Sequence, residues 1–140
     1  MTVNHASPSD LAFRDDFEGC RIAPASFDHR SHLRLAYVYL VESAPDEAAE
    51  RMKRALLTFI TANGVPPSKF HETLTRAWVL AVRHFMDRSS NASFDGFVAN
   101  SAVLLDSTVM LTHYDAVTLF SDEARAAFVA PNLEAIPANQ

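Results

Sequence analysis

Residues 28–41 have the sequence DHRSHLRLAYVYLV, and this stretch decides the fold. Its apolar side chains recur every three or four residues, from Leu33 through Ala36 and Tyr37 to Leu40. That spacing places them on one face of an α-helix, which must be buried against a partner. Asp28 precedes the run and is a residue type that caps helix N-termini. The stretch therefore predicts an amphipathic helix over residues 28–41.

Three further segments share this periodicity and predict helices over residues 8–18, 45–63 and 68–87. Ser7 and Pro8 suit the N-cap and first position of the earliest helix, and Gly19 suggests a left-handed residue at its end. Beyond residue 88 the pattern weakens. It predicts short helices over 94–99, over 102–113 with a break near Asp106, and over 121–129.

No period-two alternation lasts for the length of a strand, and only three glycines interrupt the chain. We therefore expect an all-α fold: a compact, single-domain helical bundle of about five to seven helices. A length of 140 residues suits one domain with one core. Residues 1–7 and 137–140 are expected to be loosely ordered. Trp78, in the middle of the fourth helix, is expected to be a buried core anchor.

Charge and composition restrict the classes of partner. The chain carries 12 Lys and Arg against 17 Asp and Glu, a formal net charge of -5, and its basic residues are scattered. Nucleic acids need a basic face, and a membrane span needs about 18 apolar residues. We expect neither partner. Without a signal-peptide pattern at the start, and with Cys20 as the only cysteine, the expected location is the cytoplasm.

Two histidine motifs open predicted helices. His29 and His32 lie one turn apart at the start of one helix, and His71-Glu72 opens another. All three histidines fall on apolar stripes. A domain of this size has only one interior to share, so we expect the three rings to converge.

Converging histidines are typical of a metal site or of an acid/base site. The partial positive charge at a helix N-terminus disfavours imidazolium, and neutral imidazole is the form that binds metals or accepts protons. His29, His32 and His71 are therefore candidate ligands for a divalent metal such as Zn, Fe or Mn. In a metal-free pocket, His71 and Glu72 are the candidate catalytic residues. Tyr37, Thr75 and Trp78 are the candidate contacts to a small-molecule ligand.

A structural role for the same histidines is the alternative. A histidine on an apolar stripe commonly bonds a carbonyl or hydroxyl group through one ring nitrogen, and a histidine in a first turn can cap its helix. The chain would then be a non-catalytic interaction domain, with a homodimer as one form. The sequence leaves both hypotheses open.

Several segments resemble a group of small, uncharacterised bacterial helical proteins with HxxH and FHETxT-type motifs. The likeness extends from about Phe13 to Pro137. It is carried by FDHRSHLRLA at 27–36, FHETLTRAW at 70–78, SDEAR at 121–125, PNL at 131–133 and Pro137. The resemblance implies a compact helical fold in which the two histidine motifs belong to one site. It implies no particular activity.

Overall fold

The computed structural model describes residues 2–136, and this part of the chain folds as a helical bundle without strands. The seven α-helices are α1 (Pro8–Glu18), α2 (His29–Glu42), α3 (Pro45–Ala62), α4 (Glu72–Met86), α5 (Phe94–Asn100), α6 (Ala116–Leu119) and α7 (Asp122–Ala126). Four 3-10 turns join them at Pro24–Ser26, Pro67–Lys69, Ala102–Leu105 and Val109–Thr112. The predicted all-α fold is confirmed. The predicted loose segment at 137–140 lies outside the described residues.

Side-chain caps set where most of the helices begin. The Ser7 hydroxyl accepts the N–H of Asp10, whose carboxylate in turn accepts the N–H of Ser7. This reciprocal pair is a capping box. Asp28 accepts the N–H of Ser31 at the start of α2. Helix α3 begins at Pro45 without a side-chain cap, and all three helices begin within a residue of their predicted starts.

Helix α2 lies at the centre of the bundle and packs against α1, α3 and α4. Between Leu33 and Leu40 every residue except Arg34 is buried. The prediction of a single buried face was therefore too narrow, since helices surround α2 on several sides. Arg34 instead forms an ion pair with α1, in which its Nε donates to Asp10 Oδ1 at 2.9 Å.

Asp10 connects three helices through one buried carboxylate. Besides Arg34 of α2 and Ser7, it accepts the backbone N–H of Phe94 at the start of α5 at 2.9 Å. Burial alone would raise the pKa of Asp10, but these hydrogen bonds together lower it.

The N-terminal residues also contact the bundle, although the sequence suggested a loose segment. His5 donates its backbone N–H to the carbonyl of Asn91, and Asn91 donates to the carbonyl of Val3. The Tyr37 hydroxyl donates to the His5 carbonyl at 2.8 Å.

The other predicted boundaries need correction at four places. Gly19 has φ −84°, and the left-handed residue is Cys20 with φ 57°. Helix α4 begins at Glu72, because Pro67–Lys69 forms a separate 3-10 turn. The predicted helix over 102–113 is two 3-10 turns, and the last helix ends at Ala126.

None of the helices in the described part of the chain is both long and apolar enough to cross a membrane.

Candidate functional site

A cavity of about 480 Å³ lies where the N-terminal ends of α2 and α4 face α3 and the irregular segment after α5. Eleven of its eighteen lining residues are apolar, including Leu33 of α2, Leu56 of α3 and Met110 of the last 3-10 turn. A volume of this size and a mainly apolar lining are typical of small-molecule sites.

The three predicted histidines all line this cavity. Helices α2 and α4 pack together, and His29, His32 and His71 at their N-terminal ends border the same cavity. Their roles nevertheless differ, because each ring has different hydrogen-bond partners.

His71 is fully engaged by the protein. Its Nδ1 accepts the N–H of Leu74 at 3.0 Å and so caps α4, and its Nε2 donates to the carbonyl of Leu119 at 2.7 Å. Burial lowers the pKa of His71, which keeps the ring neutral as this pair of bonds requires. The ring has no free lone pair for a metal or a proton. In this structure both ring nitrogens of His71 serve the fold, one as a helix cap and one as a link to α6.

His29 is tied to the same irregular segment. Its Nε2 lies 2.8 Å from the carbonyl oxygen of Leu104 and donates to it. The imidazole also meets the Trp78 ring edge-on, with ring centroids 4.7 Å apart. His29 thus helps to form the cavity wall, with one nitrogen committed to the backbone.

His32 is the histidine that remains available. Its ring stacks at a tilt against Phe27, 4.6 Å between centroids, and neither nitrogen hydrogen-bonds to another described residue. Burial, with a smaller contribution from nearby His29, lowers the pKa of His32 to about 4. At neutral pH the ring is therefore uncharged and offers one donor and one acceptor to the cavity.

The predicted three-histidine metal site is not supported by this geometry. Within residues 2–136 no group of three or more His, Cys, Asp or Glu side chains is arranged to hold a metal ion. The physical reason is the prior engagement of His71 at both nitrogens and of His29 at Nε2, which removes lone pairs that metal ligation needs.

Two more predicted site residues lie elsewhere. Glu72 points toward α3, where its carboxylate pairs with Lys53 at 3.5 Å, and it is not among the residues that line the cavity. Tyr37 is fully buried on the other side of α2, packed on Phe97 with its hydroxyl bonded to His5. Neither side chain is therefore among those that line the cavity.

Thr75 and Trp78 do line the cavity, one and two turns along α4. The Thr75 hydroxyl has no hydrogen-bond partner among the described side chains and carbonyls, whereas its backbone N–H bonds to His71. Trp78 packs against the hydrophobic core but is only partly buried, so it is not the buried core anchor that the sequence predicts. Its ring forms part of the cavity wall instead.

One side of the cavity, formed by residues from 107 to 120, was not predicted from the sequence, and neither was Lys69. The irregular segment has no helical periodicity to reveal which side chains face inward. The backbone carbonyls of Leu104 and Leu119, which decide the roles of two histidines, leave no signal in the sequence.

Comparison with known proteins adds no assignment. No protein-family model, no curated protein and no solved structure matches this chain. The site must be interpreted from its own chemistry.

Proposed function

We propose that the protein binds a small, mainly apolar molecule in this cavity and contacts an uncharged polar group of that molecule through His32. The observation that carries the proposal is the unpartnered, neutral imidazole of His32 within an apolar wall. The His32 side chain is only partly buried and its ring nitrogens are open to the cavity, so a ligand group can replace water as their hydrogen-bond partner.

The surroundings of His32 favour binding over acid/base chemistry. An imidazole with a pKa of about 4 is a weak base at neutral pH, and no Asp or Glu side chain is among the described residues that line the cavity. The Thr75 hydroxyl supplies a second uncharged polar contact on the facing helix. The apolar remainder supplies most of the binding free energy through burial of the ligand surface.

Trp78 provides a direct measurement of occupancy. It is the only tryptophan in the chain and it forms part of the cavity wall. Titration with 1-decanol, an apolar probe with one uncharged hydrogen-bonding group, should shift the Trp78 emission to shorter wavelength as water leaves the cavity. Calorimetry would give the dissociation constant independently.

Variants at His32 separate the contribution of the polar contact to affinity from the contribution of burying the alkyl chain of 1-decanol. His32→Leu should weaken 1-decanol binding by roughly three- to tenfold, the value of one hydrogen bond, while His32→Gln should retain most of it. His5→Leu is the matched control, because His5 is exposed and its hydrogen bonds within residues 2–136 all use its backbone. Equal affinity in the His32→Leu variant would remove His32 from the proposal. Absence of any 1-decanol binding would contradict the proposal as a whole.

A further inference from the structure

The charge at the mouth of the cavity differs in sign from the charge of the chain. The protein is acidic overall, yet the one charged side chain among the described residues that line the cavity is Lys69. Lys69 is exposed and belongs to the 3-10 turn before α4. Arg125 of α7 lies beside it and donates from Nη1 to the Lys69 carbonyl at 3.2 Å.

Both cations lack an acidic partner within residues 2–136. Eight of the twelve basic side chains form an ion pair there, at Arg14, Arg21, Arg30, Arg34, Arg51, Lys53, Arg76 and Arg83. Of the four that do not, Lys69 lines the cavity, and Arg125 donates to the backbone carbonyl of Lys69. In a chain with more acidic than basic residues, a lysine without an ion pair in the lining of an apolar cavity, with an arginine bonded to its backbone, is suited to an anion.

We infer that the ligand is an apolar carboxylic acid, held with its body in the cavity and its carboxylate at the mouth beside Lys69 and Arg125. This inference rests on the proposed function and adds an acid group to the ligand. The carboxylate belongs at the mouth because an ionised group placed deep among Leu33, Leu56 and Met110 would lose its hydration. A carboxylate at the mouth remains hydrated and is attracted by the charges of Lys69 and Arg125.

The test compares decanoate with 1-decanol, which share a chain length and differ in charge. Decanoate should bind the unaltered protein more tightly at low salt, and added NaCl should weaken decanoate alone, because exposed charges are screened. Lys69→Gln should weaken decanoate roughly three- to fivefold and leave 1-decanol unchanged. In the double variant Lys69→Gln with Arg125→Gln, decanoate should no longer bind more tightly than 1-decanol. Arg88→Gln is the control for a lost charge, because Arg88 is exposed and lies outside the cavity lining.

The outcomes distinguish the two proposals. If 1-decanol and decanoate bind equally and Lys69→Gln alters neither, the acid inference is overturned while ligand binding stands. If decanoate responds to Lys69→Gln and 1-decanol responds only to His32→Leu, the two polar contacts are independent and both proposals hold. If neither probe binds, both are overturned.

Discussion

His71 Nε2 donates a hydrogen bond to the carbonyl of Leu119 at 2.7 Å, and this bond joins the start of α4 to the end of α6 across 48 residues of sequence. The opposite nitrogen of the same ring caps α4 by accepting the Leu74 N–H. One imidazole therefore satisfies a helix donor and a helix acceptor together. Such a ring couples the irregular C-terminal segment to the central helices, and its loss should affect both.

His71→Ala should lower the free energy of unfolding by about 2–4 kcal/mol, because it removes a cap and leaves the Leu119 carbonyl without its donor. His71→Asn should recover about 1 kcal/mol, since asparagine caps helices well but is too short to replace the Nε2 contact. Urea denaturation measures both. Asp28→Ala, which removes the cap of α2 and an exposed bond to the Ser31 hydroxyl, serves as the matched control at about 1 kcal/mol. A cost for His71→Ala no larger than this control would contradict the double role.

The lowered pKa of His32 should be visible in the pH dependence of the free energy of unfolding. Its pKa falls from an ordinary 6.5 to about 4 in the folded protein, so the unfolded chain binds more protons between these values. The stabilising effect of a neutral His32 is complete above pH 6.5 and is lost as the pH falls toward 4. Up to about 3 kcal/mol of stability should disappear over this window, with His71 contributing in the same direction.

A comparison of variants isolates this contribution from that of the carboxylates. The difference in unfolding free energy between pH 7 and pH 5 should be smaller in His32→Leu than in the unaltered protein. His5→Leu should retain the full difference, since that side chain is exposed. Equal pH dependence in all three proteins would show that His32 titrates normally.

The helices and the placement of three histidines along one cavity follow from the sequence pattern, but the hydrogen-bond partners of the individual nitrogens do not. Caps such as Ser7 and Asp28 and the periodic stripes of α2 and α4 are local features, and they place His29, His32 and His71 at one end of the bundle. The acceptors for His29 and His71 are backbone carbonyls 75 and 48 residues away. Any residue type can offer a carbonyl, so no sequence pattern separates the engaged rings from the free one.

Asp10 should be among the most sensitive positions outside the cavity. Its carboxylate bonds Arg34, Ser7 and the N–H of Phe94, and it is nearly inaccessible to solvent. Asp10→Ala should cost about 3–5 kcal/mol, because it leaves buried partners without an acceptor. Asp95→Ala is the control, since Asp95 pairs with Arg30 at the exposed surface and should cost less than about 1 kcal/mol. Similar costs for the two variants in urea denaturation would contradict the role assigned to Asp10.

Trp78 should contribute less to stability than its size suggests. Trp78→Ala should cost about 1–2 kcal/mol, because part of the ring faces the cavity and already lacks packing partners. Phe97→Ala, at a smaller but fully buried ring, should cost about 3–5 kcal/mol. Chemical denaturation followed by circular dichroism measures which of the two variants loses more unfolding free energy. A larger loss at Trp78 than at Phe97 would mean that the Trp78 ring packs as part of the core.

Two threonines of α4 provide the sharpest contrast between structure and binding. Thr73 and Thr75 are both buried, but the Thr73 hydroxyl donates to the Ala127 carbonyl and accepts the Val129 N–H, whereas the Thr75 hydroxyl faces the cavity. Valine has nearly the same shape as threonine without the hydroxyl. Thr73→Val should therefore cost about 2–3 kcal/mol, since two buried backbone groups lose their partner.

Thr75→Val should lower the affinity for the ligand and not the stability of the fold. Removing a hydroxyl that has no protein partner should leave the free energy of unfolding unchanged or raise it by up to about 1 kcal/mol. Affinity for a probe that uses this hydroxyl should fall, as measured by the Trp78 titration with 1-decanol. A residue that the fold does not need but the ligand does is expected at a binding site, since sites retain polar groups at a cost in stability. A substantial loss of stability in Thr75→Val with unaltered affinity would instead place the hydroxyl in the framework of the fold.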